Sequence, residues 1–198
     1  MKEIVVATKN AGKVAELAAA LAPLSVTVRA VSEYGDIAEP EETGTTFAEN
    51  SILKARYYAE KTGCACLADD SGLEVDALEG QPGVYSARYA GPGATDSANN
   101  DKLLTELSGR PNATRTARFR CVLAFCEPTG QTMAADGTCE GTILQAPRGS
   151  GGFGYDPLFY MAPFNKTLAE MSVEEKNAVS HRGKAVAVMV DKLAGYLS

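Results

Sequence analysis

Lys2-Glu3-Ile4-Val5-Val6-Ala7-Thr8-Lys9-Asn10-Ala11-Gly12-Lys13-Val14 is the stretch on which the fold turns. Ile4 to Ala7 is an unbroken apolar run of strand length, so a buried strand is predicted over 2–8. Thr8 to Lys13 is a polar turn. Val14, Leu17, Ala18 and Leu21 then recur at helical spacing, with Pro23 beyond, which predicts a helix over 14–21. Working outward, 25–31 alternates as a second strand would, and 32–44 is acidic and turn-rich. Thr46-Phe47-Ala48-Glu49 fits a capping box, so a helix is predicted from there to about Thr62, stopped by Gly63. A short apolar strand over 64–68 ends in Asp69-Asp70-Ser71-Gly72. The segment 75–93 is rich in glycine and proline and reads as irregular, and a helix is predicted over 96–107. Two strands, 116–127 and 132–140, flank Pro128-Thr129-Gly130 as a hairpin. A glycine-rich loop over 146–155, a short helix over 173–177 and a helix over 181–197 follow. Strands alternating with helices, then a strand pair, argue for an α/β fold with a mixed sheet. Sites in such folds gather at strand ends, and the two most polar strand exits are 8–13 and 69–72.

The 198 residues show no repeat, low-complexity tail or linker, so 1–198 reads as a single domain. At 45% hydrophobic residues a substantial core can be buried. The net charge of −6, with no basic stripe, argues against a nucleic-acid partner. An acidic chain that holds a polyanion needs locally placed lysines or a metal ion. No apolar run reaches the roughly 18 residues of a membrane span, so no membrane partner is expected. The apolar run near Met1 is too short for a secretory signal, which leaves a cytoplasmic location as the expectation. Cys64, Cys66, Cys121, Cys126 and Cys139 have no zinc-ligand spacing, and His181 is the single histidine. The cysteines read as buried small hydrophobes.

Several segments can carry chemistry. A helix N-terminus after Thr8–Lys13 favours anions, and Lys13 adds a point charge. It is not a Walker A loop: Ala7 stands in place of the first glycine and Val14 in place of the Ser/Thr. An ordinary strand-to-helix turn with solvated lysines reads the same way. Asp69 and Asp70 point to opposite sides of an extended segment, so one can enter a site while the other supports the backbone. Carboxylates facing phosphates call for a divalent cation, and magnesium takes one or two of them beside substrate oxygens. Glu41 or Glu42 completes such a set. A turn capped by aspartates is the plain alternative. Lys54 lies on the helix after the acidic loop. Phe153 and Tyr155, in the run Gly149-Ser150-Gly151-Gly152-Phe153-Gly154-Tyr155-Asp156-Pro157, suit base stacking or simple loop packing. Ser180-His181-Arg182 offers donors at a helix start. No Ser-His-Asp triad can be assembled around one histidine.

Taken together, these segments closely resemble the inosine triphosphate pyrophosphatase family. The matching pieces are Thr8-Lys9-Asn10-Ala11-Gly12-Lys13, Glu41-Glu42-Thr43-Gly44, Phe47 to Arg56, and Ala68-Asp69-Asp70-Ser71-Gly72-Leu73. They continue through Pro82 to Tyr89, Gly151 to Pro157, Glu174-Glu175-Lys176-Asn177 and Ser180-His181-Arg182-Gly183. The match runs nearly the whole chain in order, and departs from the family at Lys9, where glycine is common. The resemblance implies an elongated mixed β-sheet with flanking helices, two lobes around a central nucleotide-binding cleft, and a homodimer. It implies magnesium-dependent hydrolysis of inosine, deoxyinosine and xanthosine triphosphates to monophosphate and pyrophosphate, which cleanses the nucleotide pool.

By the same match, Asp70 is the base or metal ligand that readies water, with Glu41 as a second metal ligand. Thr8, Lys9, Asn10, Ala11, Gly12, Lys13 and Lys54 would hold the phosphates, and Phe153 and Tyr155 would flank the base with Lys176, His181 and Arg182 as donors. Ser71, Gly154 and Asp156 would also bind substrate. A donor-lined pocket accepts a 6-oxo group and rejects a 6-amino group. Two other readings share parts of this pattern: a pyrophosphatase for modified pyrimidine nucleotides, and a non-catalytic purine nucleotide-sensing module.

Overall fold

The computed structural model describes residues 2–197. Among the described residues seven strands form one sheet in the order β2-β1-β3-β4-β5-β6-β7: β1 is Glu3–Val6, β2 Thr27–Ala30, β3 Ala65–Val75, β4 Thr116–Cys126, β5 Thr132–Ile143, β6 Phe159–Met161 and β7 Lys166–Thr167. The helices are α1 Ala11–Leu21, α2 Phe47–Thr62, α3 Asp96–Ser108, α4 Val173–Val179 and α5 His181–Leu197. Contacts divide the chain into two compact units, one of residues 1–70, 121–137 and 182–198, the other of 71–120 and 138–181. Among the described residues no helix is long and apolar enough to cross a membrane.

In the first unit β1 runs parallel to both β2 and β3, pairing Val6 with Ala30 and with Leu67. Parallel neighbours need crossover connections, which α1 and α2 supply. Strand alternation then sorts the core by face. Ile4, Val6 and Leu67 pack with Leu17 and Leu21 of α1 and Met189 and Leu193 of α5. Val5, Cys66 and Ala68 pack with Ala55, Tyr58 and Ala59 of α2. Burial on both faces explains why β1 reads as continuous apolar sequence. Helix α2 begins and ends as its sequence predicts: Thr46 and Glu49 exchange the two bonds of a capping box, and Gly63 closes it at φ +69°.

The second unit packs Leu73 and Val75 of β3 with Leu103 and Leu107 of α3, Phe119 of β4, Ile143 of β5 and Phe159 of β6. Here β6 is antiparallel to both β5 and β7. All five cysteines are thiols, and four are buried.

Two boundaries and two short strands depart from the sequence expectation. Helix α1 starts at Ala11 rather than Val14, because the Asn10 side chain caps it by accepting from the Gly12 and Lys13 N–H groups. Strand β3 does not end at Ala68; it runs to Val75, so Asp69 and Asp70 lie mid-strand and not at a strand exit. The expectation followed the poor strand propensity of Asp, Ser and Gly, which tertiary pairing overrides. Strands β6 and β7 were not anticipated, since three and two residues are too short to show a period.

Candidate functional site

The Thr8–Lys13 turn is built by local hydrogen bonds. The Thr8 N–H donates to the Val6 carbonyl at 2.8 Å, and the Asn10 N–H to Thr8 Oγ1 at 3.1 Å. Asn10 Oδ1 then takes the Gly12 N–H at 2.9 Å and the Lys13 N–H at 3.2 Å. These two donors are therefore occupied by the cap, and Lys13 carries the positive charge of the turn through its side chain. Ala11 and Gly12 are exposed on the first turn of α1.

A cavity of about 200 Å³ opens beside this turn, with Thr8, Lys9, Lys13, Lys54, Glu42 and Asp69 on its wall. Each of its three lysines faces a carboxylate. Lys13 Nζ lies 3.1 Å from Asp69 Oδ2, Lys54 Nζ 2.8 Å from Glu42 Oε1, and Lys9 Nζ 3.4 Å from Glu39 Oε1. Arg182 Nη2 reaches the same Asp69 oxygen at 3.2 Å. Burial pushes the Asp69 carboxyl up, but Lys13 and Arg182 more than offset this and hold it at about 2. Asp69 is thus an ionised anchor for two cations and a poor proton acceptor near neutrality. The Arg182 Nε hydrogen is buried and has no partner among the described residues.

The second unit gathers most of the expected base-side residues. Phe153 is 65% exposed, and Lys176 Nζ sits 4.5 Å from its ring centroid. Buried Asp156 binds this ammonium at 2.5 Å and also accepts the Phe153 N–H at 2.9 Å. Gly152 lies against that carboxylate at φ +73°; a Cβ there would collide with Asp156 Oδ2. Only glycine satisfies both constraints. The His181 ring stacks on Phe119 with centroids 5.1 Å apart. Ser71 follows Asp70 on β3, half-buried.

Two expected residues are placed differently from their anticipated roles. Tyr155 does not stand beside Phe153 as a stacking surface: it is 4% exposed, and its hydroxyl donates to the Ser86 carbonyl at 2.8 Å. Burial pushes its phenol up, so it stays protonated as a core donor. Glu41 is exposed, and Glu42 rather than Glu41 lines the lysine cavity. Asp69, Glu39 and Tyr58 are cavity residues that sequence reading did not single out as site residues. For Asp69 the adjacency to Asp70 was a signal, and for Glu39 its place in the acidic segment 32–44; for Tyr58 none existed.

Among the described residues no three His, Cys, Asp or Glu side chains form a ready metal cage. The acidic side chains present are hard oxygen donors, of which magnesium needs one or two when phosphate oxygens supply the rest. The donor chemistry therefore fits a cation that arrives with a polyphosphate.

The Ham1 family model matches residues 4–192. A dITP/XTP pyrophosphatase of Desulforamulus reducens is 56% identical over 184 residues, covering 93% of this chain and 92% of that protein. The dITP/XTP pyrophosphatase of Geobacter sulfurreducens is 53% identical over 193 residues, covering 98% and 97%. A solved HAM1 protein from Coxiella burnetii superposes with a TM-score of 0.94 at 43% identity, covering 98% of this chain and 100% of that one. The Ham1 protein of Staphylococcus aureus gives 0.91 at 42% identity, with the same coverage.

Proposed function

The chain belongs to the Ham1 family, and from that premise we propose that it hydrolyses deaminated purine nucleoside triphosphates, including inosine, deoxyinosine and xanthosine triphosphate, to the monophosphate and pyrophosphate. The observation that carries this reading is the cavity walled by Lys9, Lys13 and Lys54 at the end of β1. Its volume of about 200 Å³ is below the roughly 300 Å³ of a small-molecule pocket, and suits a phosphate tail better than a whole nucleotide.

Phosphate binding on this reading is an exchange of partners. Lys13 and Lys54 pass from Asp69 and Glu42 to phosphate oxygens, helped by Lys9 and the Thr8–Gly12 turn with Asn10 and Ala11. Because Lys13 and Asp69 are already paired, the lysine is held in place before substrate arrives. Magnesium, when bound, would neutralise phosphate oxygens, and Asp70 with Glu41 or the cavity-lining Glu42 would hold it. Asp70 also accepts the proton of the attacking water, while Ser71 binds substrate next to it. Asp69, held at about 2, is left to position Lys13 and Arg182.

On the base side, exposed Phe153 offers the stacking face, and Gly154, Tyr155 and Asp156 fix its loop. Lys176 has donors beyond the one given to Asp156. His181 and Arg182 are assigned as further donors to the 6-oxo group. Adenine, with a 6-amino donor there, would leave these groups unpaired, which costs orders of magnitude in specificity. The same reading makes the enzyme a cytoplasmic homodimer that takes free nucleotides rather than nucleic acid, in keeping with its charge of −6. Light scattering on the purified protein tests the dimer.

A pyrophosphate-release assay with inosine, xanthosine, guanosine and adenosine triphosphates, with and without magnesium, tests the activity. Release from the first two, dependent on the metal and at least about a hundredfold faster than from adenosine triphosphate, is expected. Equal rates on all four would refute the base-pocket assignment, and no release from any would refute the reaction.

A further inference from the structure

The exposed Phe153 ring sits on a loop flanked by two glycines in left-handed conformations, Gly152 at φ +73° and Gly154 at φ +59°. Such a loop needs outside contacts to keep one geometry. Asp156 supplies one by accepting the Phe153 N–H. Helix α3 supplies two more. Asp96 Oδ2 accepts the Gly154 N–H at 2.6 Å, and Asn100 Nδ2 donates to the Gly154 carbonyl at 2.9 Å. Residues four apart on a helix share a face, so this pair grips both polar groups of one glycine.

The helix end that carries them is itself held. Thr95 caps α3 by accepting the Ala98 N–H at 3.2 Å. Asn99 accepts the Ala90 N–H at 2.8 Å and donates to the Ala87 carbonyl at 3.2 Å, and Lys102 donates to the Tyr89 carbonyl at 2.8 Å. Leu103 and Leu107 are buried in the core. A rigid element therefore presents two side chains to one residue of the aromatic loop.

We propose that Asp96 and Asn100 are positioning residues that fix the Phe153 platform and so set the affinity for the base. This rests on the reading that Phe153 stacks on the base. Neither side chain needs to touch substrate. Their loss would let the ring wander and raise KM, while the phosphate side, and hence kcat, stays as it was.

A double-mutant cycle tests this, with Asp96→Ala/Asn100→Ala as one change and Phe153→Ala as the other, and KM and kcat for inosine triphosphate as readouts. The clamp variant is expected to raise KM roughly tenfold, with kcat within about twofold, and to add nothing in the Phe153→Ala background. An equal loss in both backgrounds would show a general structural effect and overturn the proposal. So would an unchanged KM in the clamp variant while Phe153→Ala is impaired. If Phe153→Ala itself binds normally, the stacking reading has failed, and the clamp proposal goes with it. Should the double variant not fold, Asn100→Asp alone sets a carboxylate against the Gly154 carbonyl and is expected to raise KM in the same way; a normal KM would overturn the proposal.

Discussion

At the scale of single residues, the proposed function gives two adjacent aspartates different tasks. Asp69 is committed to Lys13 and Arg182, and its carboxyl sits at about 2. Asp70 is the residue assigned to the water. Asp70→Asn should therefore lower kcat by about a thousandfold or more, with substrate affinity largely kept; normal turnover in a single-turnover assay would end that assignment. Asp69 makes a different prediction. A folded-state pKa below the ordinary 3.8 means stability that is fully present above pH 4 and lost as pH falls toward 2. The shift corresponds to roughly 2 kcal/mol. Urea midpoints followed from pH 5 to 2 should fall less steeply in Asp69→Asn than in the parent. Parallel slopes would mean that the Lys13 and Arg182 contacts contribute little.

At the scale of elements, the informative case is the loop between β5 and β6. Its glycines mark where the backbone must come close to a charge or turn left-handed. Gly152→Ala would force a Cβ onto Asp156 Oδ2 and strain a φ of +73°. The carboxylate would have to release the Phe153 N–H, Lys176 or both. A several-fold rise in KM for inosine triphosphate is expected, with a stability loss of roughly 2 kcal/mol. Retention of both would show that the loop has slack. Strand β3 teaches a complementary point. Its centre, Asp69-Asp70-Ser71-Gly72, looks like a strand end by composition, yet the strand continues to Val75. Asp69 is stabilised there by cations from α1 and α5, residues 56 and 113 positions away along the chain. No local rule carries that information.

At the scale of the whole molecule, each unit has its own apolar packing. Leu103 of α3 is fully buried against β3, β4 and β6 residues, so Leu103→Ala should destabilise by about 2–5 kcal/mol and lower the thermal midpoint by several degrees. A change under 1 kcal/mol would mean the core closes over the gap. Much of the architecture was legible beforehand. The apolar run at Ile4–Ala7, the Thr46–Glu49 capping box, Gly63 and the helical spacing of α5 each answer to short-range physics, and each element appeared where its pattern put it. The lysine turn and the aromatic glycine loop also stood out by composition, and the structure puts a lysine-lined cavity beside the first and an exposed ring on the second. Long-range partners were not. That Arg182 closes on Asp69, that Tyr155 turns into the core while Phe153 stays out, and that Asp96 and Asn100 grip Gly154 depend on which surfaces meet. The sequence by itself determined most of the elements, because periodicity, caps and turn chemistry act within a few residues, and its ordered motifs carried the resemblance to the family. Only the tertiary structure decided which carboxylate each cation meets and which aromatic ring faces solvent, because burial and charge pairing are properties of neighbours brought together from far along the chain.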